Sequence, residues 1–133
     1  MNALVALAWD SHVHHATIGP WFSANAGAGW ATCPITESGF VRVSSNPTVL
    51  PAPISVLDAR RVLGALRALP GHEFLDDDVS IADPDFPPVA GHRQVTDGHL
   101  LTLARRRNRR LLTFDEALVT LAEGRDVELL RLL

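Results

Sequence analysis

Three carboxylates stand at comparable places in separate parts of this 133-residue chain, each beside a short apolar segment or a helix start. Glu37 falls in the first turn of a helix expected directly after an apolar strand, and Asp115 directly follows the predicted strand residues 111–114, LLTF. Asp97 stands near the start of an arginine-rich helix. Ligands of parallel α/β sheets collect at the carboxyl ends of the strands. We therefore expect Glu37, Asp97 and Asp115 to meet at one edge of the sheet.

Carboxylates that meet in this way repel one another unless a cation neutralises them. Hard oxygen ligands suit Mg²⁺ or Mn²⁺, and such an ion can activate water and stabilise the charge that builds on a phosphodiester. Each acid also has a structural interpretation when it is taken alone. Glu37 and Asp97 could be caps or partners of the helix dipole, and Asp115 could form a turn. The joint placement therefore supports the metal-site hypothesis more than any one residue does.

The elements that would position these acids alternate between helices and short apolar strands. Hydrophobic spacing, caps and breakers predict helices over residues 2–9, 14–26, 35–43, 54–69, 94–107 and 116–122, and strands over residues 30–33, 72–75, 110–114 and 127–133. Pro34 opens the third helix, Ser55 caps the fourth, and residues 46–53 and 76–88 are loops. This alternation is typical of an α/β fold with a parallel sheet.

Composition and length fit one domain over residues 1–133. Hydrophobic residues are 47% and charged residues 20%, which excludes wholesale disorder. The longest uncharged apolar run, residues 3–9, is too short to cross a membrane. The single cysteine, Cys33, excludes an internal disulfide framework and a cysteine-built zinc site, and it suits a reducing compartment such as the cytoplasm. The net charge of −3 argues against strong, indiscriminate binding of nucleic acids.

The 12 basic residues are all arginine, and five of them crowd into residues 105–110. Within this cluster, Arg105, Arg106 and Arg109 are candidates for contacts with RNA phosphates. A helix dipole also favours cations at the C-terminal end, and such a cluster is often only a solvated face. The sequence leaves both interpretations open. The opposite side of the same helix is apolar and is expected in the core.

Short motifs around the acids resemble those of PIN-domain ribonucleases, and most closely those of the VapC-type toxins of bacterial toxin–antitoxin pairs. The motifs are ITESGF at residues 35–40, VTDGHL at residues 95–100 and LTFD at residues 112–115, in the family's order and spacing. The opening NALVAL is similar to the second half of the family's Asp-x-Asn-x-Leu-Val segment. Residues 12–15 and 72–74 also look like stretches of this family. The resemblance covers nearly the whole chain.

The resemblance implies a PIN-like three-layer α/β/α fold with a central parallel sheet. It implies a metal-dependent endoribonuclease toxin that hydrolyses phosphodiester bonds of tRNA or another structured RNA. Glu37, Asp97 and Asp115 would be catalytic and would hold Mg²⁺ or Mn²⁺. The implied partners are RNA, a second copy of the chain in a homodimer, and a VapB-type antitoxin that blocks the acidic site. All of these would meet in the cytoplasm, with no membrane involved.

Three further polar residues are expected to support the metal ligands. Thr113 stands just before the last acid, where its hydroxyl can bind a carboxylate or a metal-bound water. Ser38 follows Glu37 directly, and Asn2 belongs to the family-like opening.

The chain departs from the family's pattern at its beginning. The family's first acid would stand two residues before Asn2, which is one residue ahead of Met1, and most of the first, central strand is absent as well. We therefore expect a truncated first strand, and we hypothesise that the chain begins late, with its start assigned at an internal valine codon. The alternative function is a catalytically impaired PIN-like domain that binds antitoxin or RNA without turnover.

Overall fold

The computed structural model describes residues 2–52 and 54–131. Its helices are α1 (Asn2–Ala8), α2 (His15–Asn25), α3 (Pro34–Ser44), α4 (Val56–Arg67), α5 (Val95–Arg106) and α6 (Glu116–Leu121), and its strands are β1 (Trp30–Thr32), β2 (His72–Phe74), β3 (Leu111–Thr113) and β4 (Val127–Leu129). Short 3₁₀ helices lie at Ala26–Ala28 and His92–Gln94. The chain forms two compact units. We call the residues up to Asp76 the N-terminal unit and Asp77–Arg131 the C-terminal unit.

The helices begin where the local sequence favours a start. The side chain of Ser55 accepts a hydrogen bond from the backbone N–H of Asp58 at 3.0 Å, so the predicted N-cap of α4 is confirmed. Pro34 occupies the first turn of α3, where its missing N–H has no consequence. The terminal strand β4 is shorter than the predicted 127–133, of which residues 132 and 133 lie outside the described residues. No helix among the described residues is long and apolar enough to cross a membrane.

The strands are parallel, as the alternation of elements predicts, but they form two sheets. Strand β1 pairs with β2 in the N-terminal unit, and β3 pairs with β4 in the C-terminal unit. The expected α/β organisation with parallel strands is therefore confirmed, and the described strands form two separate pairs.

The core of the N-terminal unit fixes helix α3, which bears Glu37. Leu4 and Val5 of α1 pack with Phe40 of α3, and all of them are buried. The ring of Trp9 stacks on Phe40 with 6.4 Å between ring centroids, while its Nε1 donates to Ser44 Oγ at 2.9 Å. Apolar packing and one hydrogen bond therefore hold α3 at both its middle and its end.

The core of the C-terminal unit surrounds helix α5, which bears Asp97. Residues 98–104 of α5 are all buried, so the expected core side of the arginine-rich helix is confirmed and extends around it. Leu101 packs in a cluster with Leu118, Ala122 and Val127. A Cβ at Gly98 would lie 2.8 Å from Cζ of Phe86, so glycine allows that ring to pack directly against α5 beside Asp97.

Candidate active site

Glu37 lies in the first turn of α3, directly after β1, as the sequence predicts. Its side chain is only 13% exposed. The oxygen Oε2 accepts a hydrogen bond from the hydroxyl of Thr32 at 2.6 Å. The same oxygen lies 3.5 Å from Nε of Arg67, at the end of α4. Glu37 therefore already has a donor and a cation of the protein's own beside one of its two oxygens.

A second layer of contacts surrounds this carboxylate. Nε2 of His72 lies 2.8 Å from Oγ1 of Thr32, and the two residues stand on neighbouring parallel strands. Burial lowers the pKa of His72, and the nearby Arg67 cation lowers it further, against a weaker opposing effect of the neighbouring glutamates. The guanidinium of Arg67 also lies over the ring of Phe74, 5.0 Å from its centroid.

Asp97 lies in the first turn of α5 in an environment of a different kind. Burial raises the pKa of its carboxyl group, and the negative charge of Asp115 raises it further. Asp97 and Asp115 therefore interact within the C-terminal unit, although they are on different helices. A cation beside both carboxylates would relieve their mutual repulsion and would stabilise the ionised form of the half-buried Asp97.

Asp115 has a structural role in addition to its expected role as a metal ligand. It is the N-cap of α6, where its Oδ1 accepts the backbone N–H of Ala117 at 2.9 Å. The hydroxyl of Thr113 accepts the backbone N–H of Asp115 at 3.0 Å. Thr113 thus shapes the turn that presents Asp115, and the expected bond from its hydroxyl to a carboxylate or a metal-bound water stays a prediction.

The structure describes no side-chain contact of the other two residues expected to support the metal ligands, Ser38 and Asn2. Ser38 is exposed on α3, one residue beyond Glu37. Asn2 is the first residue of α1, and its side chain lies outside the described structure.

A hydrogen bond between a histidine and an aspartate beside Asp97 was not predicted. Nε2 of His99 lies 2.6 Å from Oδ2 of Asp77, with the side chains 10% and 11% exposed. Oδ1 of Asp77 also accepts the backbone N–H of Val79 at 3.1 Å. The pair fastens the segment that precedes α5 to α5 itself. Its only sequence signal is a histidine among leucines, because a buried histidine needs a polar partner.

The arginines proposed to contact RNA are engaged with acids of the C-terminal unit. Arg106 NH2 lies 2.8 Å from Asp83 and 2.7 Å from Asp85, and its hydrogen bonds lower the pKa of both carboxyl groups. Arg105 binds Asp126 at 3.2 Å.

These pairs satisfy Arg105 and Arg106 within the protein, which does not favour the expected phosphate contacts at these two residues. Arg109, in the segment between α5 and β3, is partly buried.

Comparison with known proteins identifies the family to which these elements and acids belong. The family profile described as PIN domain matches residues 2–124. The chain belongs to the PIN-domain family. The α/β fold expected from the resemblance is thereby confirmed.

Relatives of this PIN domain are named as VapC ribonucleases. Ribonuclease VapC38 of Mycobacterium tuberculosis is 66% identical over 136 residues, which cover 100% of this chain and 96% of the relative. Ribonuclease VapC39 of the same species is 45% identical over 133 residues, covering 98% and 96%. Ribonuclease VapC44 is 39% identical over 125 residues, covering 92% and 87%. The predicted resemblance to VapC-type PIN ribonucleases is confirmed.

The donor chemistry of this PIN domain fits a hard divalent cation. Mg²⁺ is commonly held by one or two carboxylates together with substrate phosphates, and Asp97 and Asp115 are carboxylates of this kind whose charges affect each other. Within residues 2–52 and 54–131, no group of three or more histidine, cysteine and acidic side chains is arranged to hold a metal. Asp97 and Asp115, whose charges affect each other, lie in the C-terminal unit, and Glu37 lies in the N-terminal unit.

Proposed function

We propose that this PIN domain is an Mg²⁺- or Mn²⁺-dependent endoribonuclease toxin whose catalytic carboxylates are Glu37, Asp97 and Asp115. Family membership and the ribonuclease names of its relatives support the reaction class. When bound, the divalent ion would supply activation of water and stabilisation of the charge that builds on the phosphodiester. The protein's part is to bind the ion and to keep its carboxylates oriented.

The observation that most supports this proposal is the raised pKa of Asp97. Burial and the like charge of Asp115 both disfavour its ionised form, so the metal-free protein holds two negative groups in an unfavourable arrangement. Perturbed groups of this kind cluster at functional sites. Asp115 is fixed by its capping bond to Ala117 and by Thr113, so it cannot turn away to relieve the repulsion without losing those contacts.

The substrate and partners follow from the family resemblance. We propose that the RNA is tRNA or another structured RNA, that the chain forms a homodimer, and that a VapB-type antitoxin neutralises it. Arg105, Arg106 and Arg109 stay candidates for phosphate contact, and such a contact would require Arg105 and Arg106 to leave their acidic partners.

A second candidate function is a PIN domain that binds RNA or antitoxin without turnover. The observation that favours it is that no metal-holding group of three or more such side chains is found in the described ranges. The two candidates differ in whether the protein cleaves RNA, and not in what it binds.

Cleavage of total tRNA with added Mn²⁺ tests the proposal. We expect the wild-type protein to cleave and the Asp97→Asn variant to lose at least ~100-fold in rate, because even outer partners of metal ligands contribute about 10- to 100-fold. Asp10→Asn is the matched control, since it makes the same change at an exposed acid of the turn after α1 and should cleave like the wild type. RNA binding without cleavage by the wild type would favour the second candidate, and equal cleavage by Asp97→Asn would contradict the proposed catalytic role.

A further inference from the structure

The contacts of Glu37 fall on one of its two oxygens. Both the Thr32 hydroxyl, at 2.6 Å, and the Arg67 guanidinium, at 3.5 Å, approach Oε2. No donor to Oε1 is recorded in the part of the chain that the structure describes. A carboxylate held in this way has a fixed plane, with one oxygen engaged by the protein and the other directed elsewhere.

The direction of the hydrogen bonds in this network is determined by simple counting. An ionised carboxylate can only accept, so the single hydroxyl hydrogen of Thr32 goes to Glu37. The oxygen of Thr32 must then accept from His72, and Nε2 of that ring must carry the hydrogen. The lowered pKa of His72 agrees with a neutral ring that has one N–H.

The sheet register places His72 and Thr32 on the same face of the two strands. Trp30 stands opposite His72, and Thr32 opposite Phe74, so the side chains of all these residues share one face. The ring of Trp30 packs edge-on against that of His72, with 4.7 Å between centroids and planes 65° apart. The imidazole is therefore fixed by its strand, by an aromatic neighbour and by its bond to Thr32.

Packing alone does not explain a hydroxyl at position 32. Thr32 is 3% exposed, and valine would fill the same volume without a polar group to satisfy. In the described structure its hydroxyl donates to Glu37 and accepts from His72. Outer partners of this kind orient metal ligands in many metal sites.

We propose that Thr32 and His72 are positioning residues that hold Oε2 of Glu37 and leave Oε1 to bind a divalent cation. The inference rests on the proposed function, because it takes Glu37 to be a metal ligand. The unit of action is a relay in which His72 donates to Thr32 and Thr32 donates to Glu37.

Mn²⁺ affinity, measured from the electron paramagnetic resonance of the unbound ion, tests the relay without any need for catalysis. We expect Thr32→Val to weaken Mn²⁺ binding ~10- to 100-fold and Thr32→Ser, which retains the hydroxyl, to stay near the wild type. His72→Phe should also weaken binding, and His72→Gln, which retains an N–H donor, should weaken it less. The controls are Thr48→Val and His92→Phe, at exposed positions of the same residue types, and neither should change the affinity.

The Glu37→Gln variant separates failure of this inference from failure of the proposed function. If Glu37→Gln weakens Mn²⁺ binding while Thr32→Val leaves it unchanged, Glu37 is a ligand of the ion but the relay is wrong. If Glu37→Gln binds Mn²⁺ like the wild type, Glu37 is not a ligand and both ideas fail.

A second measurement uses the metal-free wild-type protein and does not depend on whether Thr32→Val folds. Nitrogen-15 chemical shifts of the imidazole report which ring nitrogen bears hydrogen. We expect the hydrogen of His72 on Nε2. A ring protonated only at Nδ1 would have to accept from Thr32, which would leave no hydrogen for Glu37 and would overturn the relay.

Discussion

The carboxylates of the two units differ in where their counter-charge comes from. Glu37, in the N-terminal unit, has a hydroxyl donor at 2.6 Å and the Arg67 guanidinium at 3.5 Å on the same oxygen. Asp97, in the C-terminal unit, instead interacts with a second acid, and its ionised form is disfavoured by burial and by Asp115. Because Asp97 is half-buried and is repelled by Asp115, whereas Glu37 has a cation of the protein beside it, the C-terminal acids have the greater need of an added cation.

The two units therefore differ in two separate properties, which are how a proposed ligand carboxylate is oriented and how strongly its surroundings favour a cation. The relay through Thr32 can orient Glu37 whether or not a cation is bound, since its donors belong to the protein. The repulsion between Asp97 and Asp115 favours the binding of a cation, because a cation from solution would offset the charge of both carboxylates. Variants that alter one property and leave the other intact can test this division.

The largest effect is expected at Asp115, where a cap and a proposed ligand coincide. Asp115→Asn and Asp115→Ala should both reduce RNA cleavage at least ~100-fold, since neither side chain is a negative ligand. Only Asp115→Ala should also destabilise the fold, by about 1 kcal/mol, because asparagine retains an oxygen for the N–H of Ala117. Cleavage assays and urea unfolding measure the two effects. If Asp115→Asn cleaves RNA as fast as the wild type, Asp115 is only the N-cap of α6 and not a catalytic residue.

A smaller effect is expected at Arg67, where substitution should raise the affinity for Mn²⁺. Its cation would repel a divalent ion at Glu37, so Arg67→Gln should tighten Mn²⁺ binding about 2- to 10-fold. Arg61→Gln is the matched control on the same helix, where the arginine pairs at 3.3 Å with exposed Asp58. Titration calorimetry of both variants measures the change. Weaker binding by Arg67→Gln would mean that Arg67 orients Glu37 rather than competing with the ion.

The smallest effect is a gain in stability of the metal-free protein when Asp97 is neutralised. The folded-state pKa of Asp97 is raised, so the folded state holds this proton more tightly than the unfolded state does. Its contribution to stability therefore falls as pH rises from the ordinary aspartate value through the raised one. Asp97→Asn removes this loss.

In EDTA at pH 7, Asp97→Asn should be slightly more stable than the wild type, because the folded state disfavours the ionised form of Asp97 and water screens part of this effect. The advantage should disappear below about pH 3, where both proteins carry a neutral side chain. Thermal unfolding across this pH range, with Asp10→Asn as the control, measures it. An Asp97→Asn variant that is less stable at pH 7 would show that the carboxylate is satisfied within the protein.

Much of the local structure could be predicted because its causes are local. Ser55 is followed by an amphipathic run, so its capping role could be inferred from the sequence alone and is confirmed. Pro34 likewise marks the start of α3. The positions of Glu37, Asp97 and Asp115 relative to their elements follow from the same alternation of apolar runs and breakers.

The contacts that give these residues their chemistry join distant parts of the chain. His72 and Thr32 are 40 residues apart, and His99 and Asp77 are 22 apart, so no periodic pattern relates them. The arginine cluster resembles a phosphate-binding surface in sequence, yet Arg106 binds acids that lie more than 20 residues earlier. Side-chain pairing over such separations depends on how elements pack, and the sequence does not specify that locally.

The most direct test is Mn²⁺ binding by the metal-free wild-type protein and by Asp97→Asn, followed through the resonance of the unbound ion. The account predicts binding by the wild type and a loss of at least ~100-fold in affinity for the variant, with Asp10→Asn unchanged. An affinity that is the same in wild type and Asp97→Asn, or a wild-type protein that does not bind the ion, would contradict it.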